Sequence, residues 1–121
     1  MHRREYRLAV RHKVWLDAGG RFALGDGGVD LLHAVETAGS LVAAARAVGW
    51  SYRHTLAYLA NAERRIGRPL VARTRGGHGR GGARLTPAGR DFVRRYARFR
   101  RRAERAVLGL YRRAFGAGEE A

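Results

Sequence analysis

The 121-residue sequence contains no cysteine, which excludes a disulfide framework, thiolate metal sites and cysteine nucleophiles but leaves the compartment open. Serine occurs only at positions 40 and 51, neither inside a G-x-S-x-G elbow. The five histidines, at 2, 12, 33, 54 and 78, are scattered without metal-ligand spacing. Carboxylates are few and separated, so no paired acid/base site is written along the chain. These absences predict a protein that is not an enzyme and that takes no metal or cofactor. Long apolar runs are missing too. The longest stretches without a charged residue are nine residues, 37–45 and 54–62 with neutral His54, whereas a membrane-spanning helix needs about 20. The opening Met1-His2-Arg3-Arg4-Glu5 leads into no apolar signal core, so the expected location is the cytoplasm and no membrane partner is expected.

What is present is arginine. Of the 25 basic residues, 24 are Arg, set against 10 acidic residues for a net charge of +15. The excess is localised. Residues 1–45 carry six basic and five acidic residues, residues 46–102 carry 16 and two (Glu63 and Asp91), and residues 103–121 carry three of each. A GC-rich coding sequence explains Arg in place of Lys, but not the near-absence of acids from one segment. A +14 block within 57 residues points to a polyanion, with nucleic acid first. A hydrophobic content of 45% is that of a folded domain rather than a disordered one.

The periodicity changes along the chain. Tyr6, Leu8, Val10, Val14 and Leu16 occupy even positions, the alternation of a half-buried strand. Asp17-Ala18-Gly19-Gly20 is turn chemistry, Arg21–Leu24 can return as a partner strand, and Gly25-Asp26-Gly27-Gly28 is expected to break the chain again. From Val29, Leu31, Leu32, Val35 and Ala38 share a helical face that ends at Gly39. Ser40 can cap a helix over 41–48, with Leu41, Ala44, Ala45 and Val48 inward. After Gly49-Trp50, Ser51 can cap a helix over 52–66 whose buried stripe is Thr55, Leu59, Ala62 and Ile66. Strands are expected at 69–74 and 83–85. Thr86 then caps a last helix that carries Pro87 at its first position and runs to about Phe115.

Two Ser-capped helices joined at Gly49-Trp50 have helix-turn-helix spacing, although an ordinary helical hairpin shares that pattern. With the buried stripe inward, Tyr52, Arg53, Ala57 and Arg64 face outward on the second of the pair. Arg53 can pair bidentately with guanine or simply hold a phosphate, Tyr52 can meet a base or a phosphate, and Ala57 can sit on a thymine methyl. Ser40 and Ser51 are caps whose helix N-termini also attract phosphate. Gly77-His78-Gly79-Arg80-Gly81-Gly82 fits G-x-G-x-x-G, but it lies between two short strands and position 102 is Arg. A dinucleotide fingerprint needs an immediately following helix and an acid about 20 residues on. A hairpin wing fits better, with Arg75, Arg80 and Arg84 supplying charge and His78 at its tip within reach of phosphate. A mobile surface loop is the plainer alternative. On the last helix, Phe92, Tyr96, Phe99, Ala103, Ala106 and Leu110 alternate spacings of 4 and 3. This is a heptad seam longer than one small domain would cover, which points to a two-fold dimer helix rather than a helix packed on its own domain.

The run Leu31-Leu32, Ala38-Gly39-Ser40, Ala43-Ala44-Ala45, Gly49-Trp50-Ser51-Tyr52-Arg53, Pro69-Leu70-Val71 and Gly76 through Thr86 resembles the N-terminal DNA-binding domain of ModE-type molybdate-responsive regulators. The similarity covers about residues 6–110 and extends more loosely to LysR-type winged helices. The resemblance implies a dimeric winged helix-turn-helix on a palindromic operator, with DNA-facing roles for Ser40, Ser51, Tyr52, Arg53, Arg73 and the wing, through to Thr86. Those regulators carry a C-terminal oxyanion-binding domain, for which 121 residues leave no room, so molybdate sensing does not carry over. Either the protein binds DNA alone or a separate ligand-sensing partner serves it. The expected fold is mainly α with small β. It comprises an N-terminal β-hairpin arm (1–28), a winged helix-turn-helix (29–85), a dimerisation helix (86–115) and a tail (116–121). The expected function is a homodimeric, sequence-specific regulator of double-stranded DNA. A nonspecific architectural DNA- or RNA-binding protein, or an interaction module built on the long helix, would share the same charge.

Overall fold

In the computed structural model, residues 7–75 and 81–116 are described. The chain divides into two compact units, residues 14–96 and residues 1–13 with 97–121. In order along the chain come β1 (Trp15–Ala18), β2 (Arg21–Gly25), α1 (Asp26–Ala38), α2 (Leu41–Val48), α3 (Tyr52–Ile66), β3 (Val71–Thr74), β4 (Gly82–Leu85) and α4 (Pro87–Phe115). β1 pairs antiparallel with β2, and β3 with β4, as two separate two-stranded sheets. The fold is a winged helix-turn-helix preceded by a β-hairpin, mainly helical with small sheets.

The first hairpin turns at Gly19 and Gly20, both at positive φ. The ladder is shorter than the alternation predicted. Residues 7–14 form no strand, and regular pairing starts at Trp15. The alternation itself is real, since even positions from Val10 to Ala18 are half-buried and odd ones exposed. Tyr6 lies outside the described residues. Between Leu16 and Asp17 the register shifts, leaving Ala23 as the extra residue of a bulge. The bulge lets Ala23, Leu24 and Gly25 all turn into the core, which a regular period of two would forbid.

Gly25-Asp26-Gly27-Gly28 does not break the chain. α1 begins at Asp26, and Gly27 and Gly28 lie inside it. The reason is tertiary. Tyr58 of α3 packs against this turn, and its hydroxyl accepts from the Gly25 amide at 3.2 Å. A Cβ on Gly28 would lie 2.5 Å from that hydroxyl oxygen and 2.8 Å from the Leu24 side chain, so only glycine lets the helix approach so closely. Phe22 meets the Tyr58 ring edge-on at 5.9 Å and Trp50 meets it at 5.0 Å. Burial raises the Tyr58 pKa above 10.0, partly offset by the amides of Gly25 and Gly28.

α1, α2 and α3 enclose a core of Leu24, Leu31, Leu32, Val35, Leu41, Ala44, Leu59 and Ala62. Leu70, Val71, Ala83 and Leu85 close it from the second sheet, and Val93 and Tyr96 from α4. Thr55 is fully buried and satisfies its hydroxyl on the Ser51 carbonyl at 2.9 Å. Tyr96, expected in a dimer seam, is instead 5% exposed within its own unit. Its hydroxyl donates to Asp26 and also lies 3.3 Å from the Val14 carbonyl. The heptad spacing placed it correctly on an apolar face, but that face rotates into the domain's own core at the start of α4.

The second unit joins the arm to the distal half of α4. Tyr111 donates to the Leu8 carbonyl at 2.9 Å, and Arg100 reaches His12 at 3.5 Å. The 29-residue α4 ends where the periodicity placed its end.

Gly28→Ala is expected to destabilise the fold by about 1–3 kcal/mol through overpacking against Tyr58 and Leu24. Gly27→Ala, whose new Cβ would meet only Trp50 at 3.4 Å, is expected to stabilise by up to about 1 kcal/mol through helix propensity. Urea unfolding of the two variants distinguishes a glycine required by contact from one that is merely tolerated.

Candidate nucleic-acid interface

The interface is built on two helix N-termini. Ser40 Oγ accepts from the Ala43 amide at 3.1 Å, and Ser51 Oγ from the His54 amide at 3.0 Å. The turn between the helices is a Schellman motif. The Gly49 amide bonds the Arg46 carbonyl, the Trp50 amide bonds the Ala45 carbonyl at 2.9 Å, and Gly49 sits at φ 79°. Each cap satisfies one amide of its first turn, leaving others and the positive end of the helix dipole available to an anion.

These ends open onto a groove of about 620 Å³. α2 contributes Ser40, Leu41 and Val42, α3 contributes Tyr52, and the second hairpin contributes Arg73, Thr74, Arg75, Gly81 and Gly82. The hairpin register explains which arginine reaches it. Arg73 lies opposite Ala83, and Val71 opposite Leu85. Arg73 therefore shares the core-facing side with Val71, but projects beyond the core edge and is exposed. Arg84 lies opposite Ala72, on the other side of the hairpin. The loop end of the paired strands is closed by the Gly82 amide donating to Thr74 Oγ1 at 3.2 Å, and the hairpin is tied to the α1–α2 turn by the Ala83 amide on the Gly39 carbonyl at 2.8 Å.

The structure thus gathers Ser40, Tyr52, Arg73 and Arg75 around one groove. Ser51, Arg53 and Ala57 are exposed on the same end of α3 or its cap. Arg64 is exposed eleven residues further along α3 than Arg53, about 16 Å away, and donates to Asn61. Thr86 is half-buried. Its hydroxyl donates to the Pro69 carbonyl at 2.7 Å and accepts from the Gly89 amide at 2.9 Å, so it serves α4 as a cap and is left out of the contact set. His78 and Arg80 lie outside the described residues. Sequence reasoning missed Val42, 51% exposed beside Tyr52 at 43%. Its signal was an apolar residue off the buried Leu41/Ala44/Ala45 face.

Both acids of the basic block are engaged elsewhere. Glu63 Oε2 accepts from the amides of Leu70 at 2.7 Å and Val71 at 3.1 Å. Asp91 holds Arg95 at 2.9 Å on α4. Among the described residues no carboxylate lines the groove, which favours a positive potential there. Among the described residues no group of three metal-ligating side chains occurs, and no helix is long and apolar enough to cross a membrane.

A Ser-capped helix pair, a hairpin wing and a cationic groove between them define a winged helix-turn-helix DNA-binding protein. Residues 28–90, 63 of the 121, match the bacterial regulatory helix-turn-helix proteins of the lysR family, and the chain belongs to that family. The match runs from Gly28 in α1 to Arg90 in the first turn of α4, so it spans the paired helices and the wing. The chain is accordingly a DNA-binding transcription regulator whose ligand is double-stranded DNA. No curated protein matches it.

Glu63→Ala leaves the amide of Leu70, a residue 1% exposed, without its acceptor. The expected loss is about 1–3 kcal/mol of unfolding free energy. DNA affinity is expected to fall as well, although the substitution removes a negative charge. Tighter binding in a titration at fixed salt would show that charge outweighs wing placement.

Proposed function

We propose that the protein is a homodimer that recognises a palindromic operator. The N-terminus of α3 would enter the major groove, with the wing on the adjacent backbone. The observation that carries this reading is the convergence of Ser40, Tyr52, Arg73 and Arg75 on one acid-free groove, next to an exposed Arg53 and Ala57. In this assignment Arg53 reads a base edge, Ala57 lies against a thymine methyl, and Tyr52, Arg73, Arg75 and the two capped N-termini hold phosphates. Arg64, Arg84, His78 and Arg80 supply outlying backbone contacts. The Ser51-Tyr52-Arg53 start and the glycine-rich wing support a ModE-type arrangement.

Selection from a random DNA pool is expected to return an inverted repeat with half-sites about one helical turn apart, or a multiple. Arg53→Ala is expected to lower the ratio of operator to random affinity about 10- to 100-fold, equivalent to the roughly 1–3 kcal/mol of a bidentate base contact. No enriched motif, with wild type and Arg53→Ala binding all duplexes alike, would establish the nonspecific architectural reading instead.

The dimer is assigned to α4. Phe99 and Leu110 are 44% and 59% exposed, Ala106 is exposed, and Phe92 and Ala103 are half-buried. With Tyr96 withdrawn into the core, these five share one apolar stripe at heptad spacing. Mass measurement in solution should give twice 13.4 kDa without DNA, and Phe99→Glu with Leu110→Glu should give the monomer. A wild-type monomer at micromolar concentration contradicts this assignment.

A further inference from the structure

α4 carries a feature that neither the groove nor the apolar stripe uses. From residue 87 to 115 it holds ten arginines against Asp91 and Glu104. Advancing 100° per residue, Arg94, Arg98, Arg101 and Arg105 fall within one narrow sector, and Arg102 borders it. That sector points away from Phe92, Phe99, Ala106 and Leu110, and away from the buried Val93 and Tyr96. Arg98, Arg101, Arg102 and Arg105 are all exposed. On this helix Asp91 pairs with Arg94 and Arg95.

The row is costly to the isolated helix. Arg94–Arg98, Arg98–Arg102 and Arg101–Arg105 are like charges at i,i+4, and Arg98–Arg101 and Arg102–Arg105 at i,i+3; each destabilises a helix in water. Acidic residues at alternate positions would relieve this repulsion, and the sequence does not supply them. A linear cation array along a rigid rod complements a linear polyanion, and duplex DNA presents about one charge per 1.7 Å of axis. Guanidinium forks also match phosphate oxygens bidentately.

We infer that the Arg98/Arg101/Arg102/Arg105 face of α4 is a second DNA-binding surface, which holds the sugar–phosphate backbone of a duplex without reading its sequence. The inference rests on the chain being a DNA-binding protein, but not on Arg53 reading bases. The surface adds affinity and salt dependence, and leaves the preference among sequences to α3.

The test uses the full chain, with a selected operator and a random duplex of equal length titrated from 50 to 200 mM salt. R98Q/R101Q/R102Q/R105Q is expected to bind both duplexes more weakly at low salt. Its slope of log affinity against log salt should be shallower by about 3–4, at roughly 0.9 per lost phosphate contact. Its ratio of operator to random affinity should be unchanged. Across that salt range the wild type should therefore lose on the order of 100-fold more affinity than the variant. An unchanged slope overturns the inference while leaving the operator reading intact; loss of duplex binding by the wild type itself would remove both. Should the variant fail to fold, phenylglyoxal labelling of the wild type gives the same decision. Protection of these four arginines by saturating random duplex supports the surface, and full labelling overturns it. Protection by single-stranded RNA or by phosphatidylglycerol vesicles, with none from duplex DNA, also overturns it.

Discussion

The two hydrogen bonds that the Glu63 carboxylate accepts from the amides of Leu70 and Val71 hold the DNA-binding unit in register. Glu63 lies in the last turns of α3, and the two amides open the wing. The other side of Leu70 is held as firmly. Its carbonyl accepts from the Thr86 amide at 2.9 Å, and a Cβ on Gly89 would fall 2.2 Å from that oxygen. α3, wing and α4 therefore meet at one buried residue. Because Leu70 cannot move alone, the distance from the α3 N-terminus to Arg73 is set by bonded geometry rather than by long side chains.

The helices were legible because their signals are local. Ser40, Ser51, Thr86, Gly39, Gly49 and Gly67 cap or terminate elements whose bounds follow from those residues alone. Where the sequence misled, a distant contact had decided the outcome. Gly27-Gly28 reads as a break because local propensity cannot register Tyr58, thirty residues away, pressing on Gly28. Tyr96 reads as part of a seam because the heptad pattern cannot show which partner covers it. Here the cover is the protein's own core, with Asp26 receiving the hydroxyl.

The candidate site was legible in part for the same reason. Arg53 and Ala57 follow from the periodicity of α3, once Thr55, Leu59 and Ala62 are known to face inward. Arg73 and Arg84 could not be separated without the strand register, which turns them to opposite sides of the hairpin. The resemblance extended the DNA-facing set to Thr86, whose hydroxyl is engaged with the Pro69 carbonyl and the Gly89 amide. Glu63 drew attention only as an exception to the charge count. Its role is mechanical, and that is why an acid persists in so basic a segment.

The bond from the Gly82 amide to Thr74 Oγ1 closes the strand ladder at its loop end, and the bonds that place Arg73 lie on the core side of that clasp. The cost of closing a loop grows only slowly with its length, so a clasp at this point fixes Arg73 whatever the length of the segment after Arg75. The placement of the groove is thereby separated from the length of the loop.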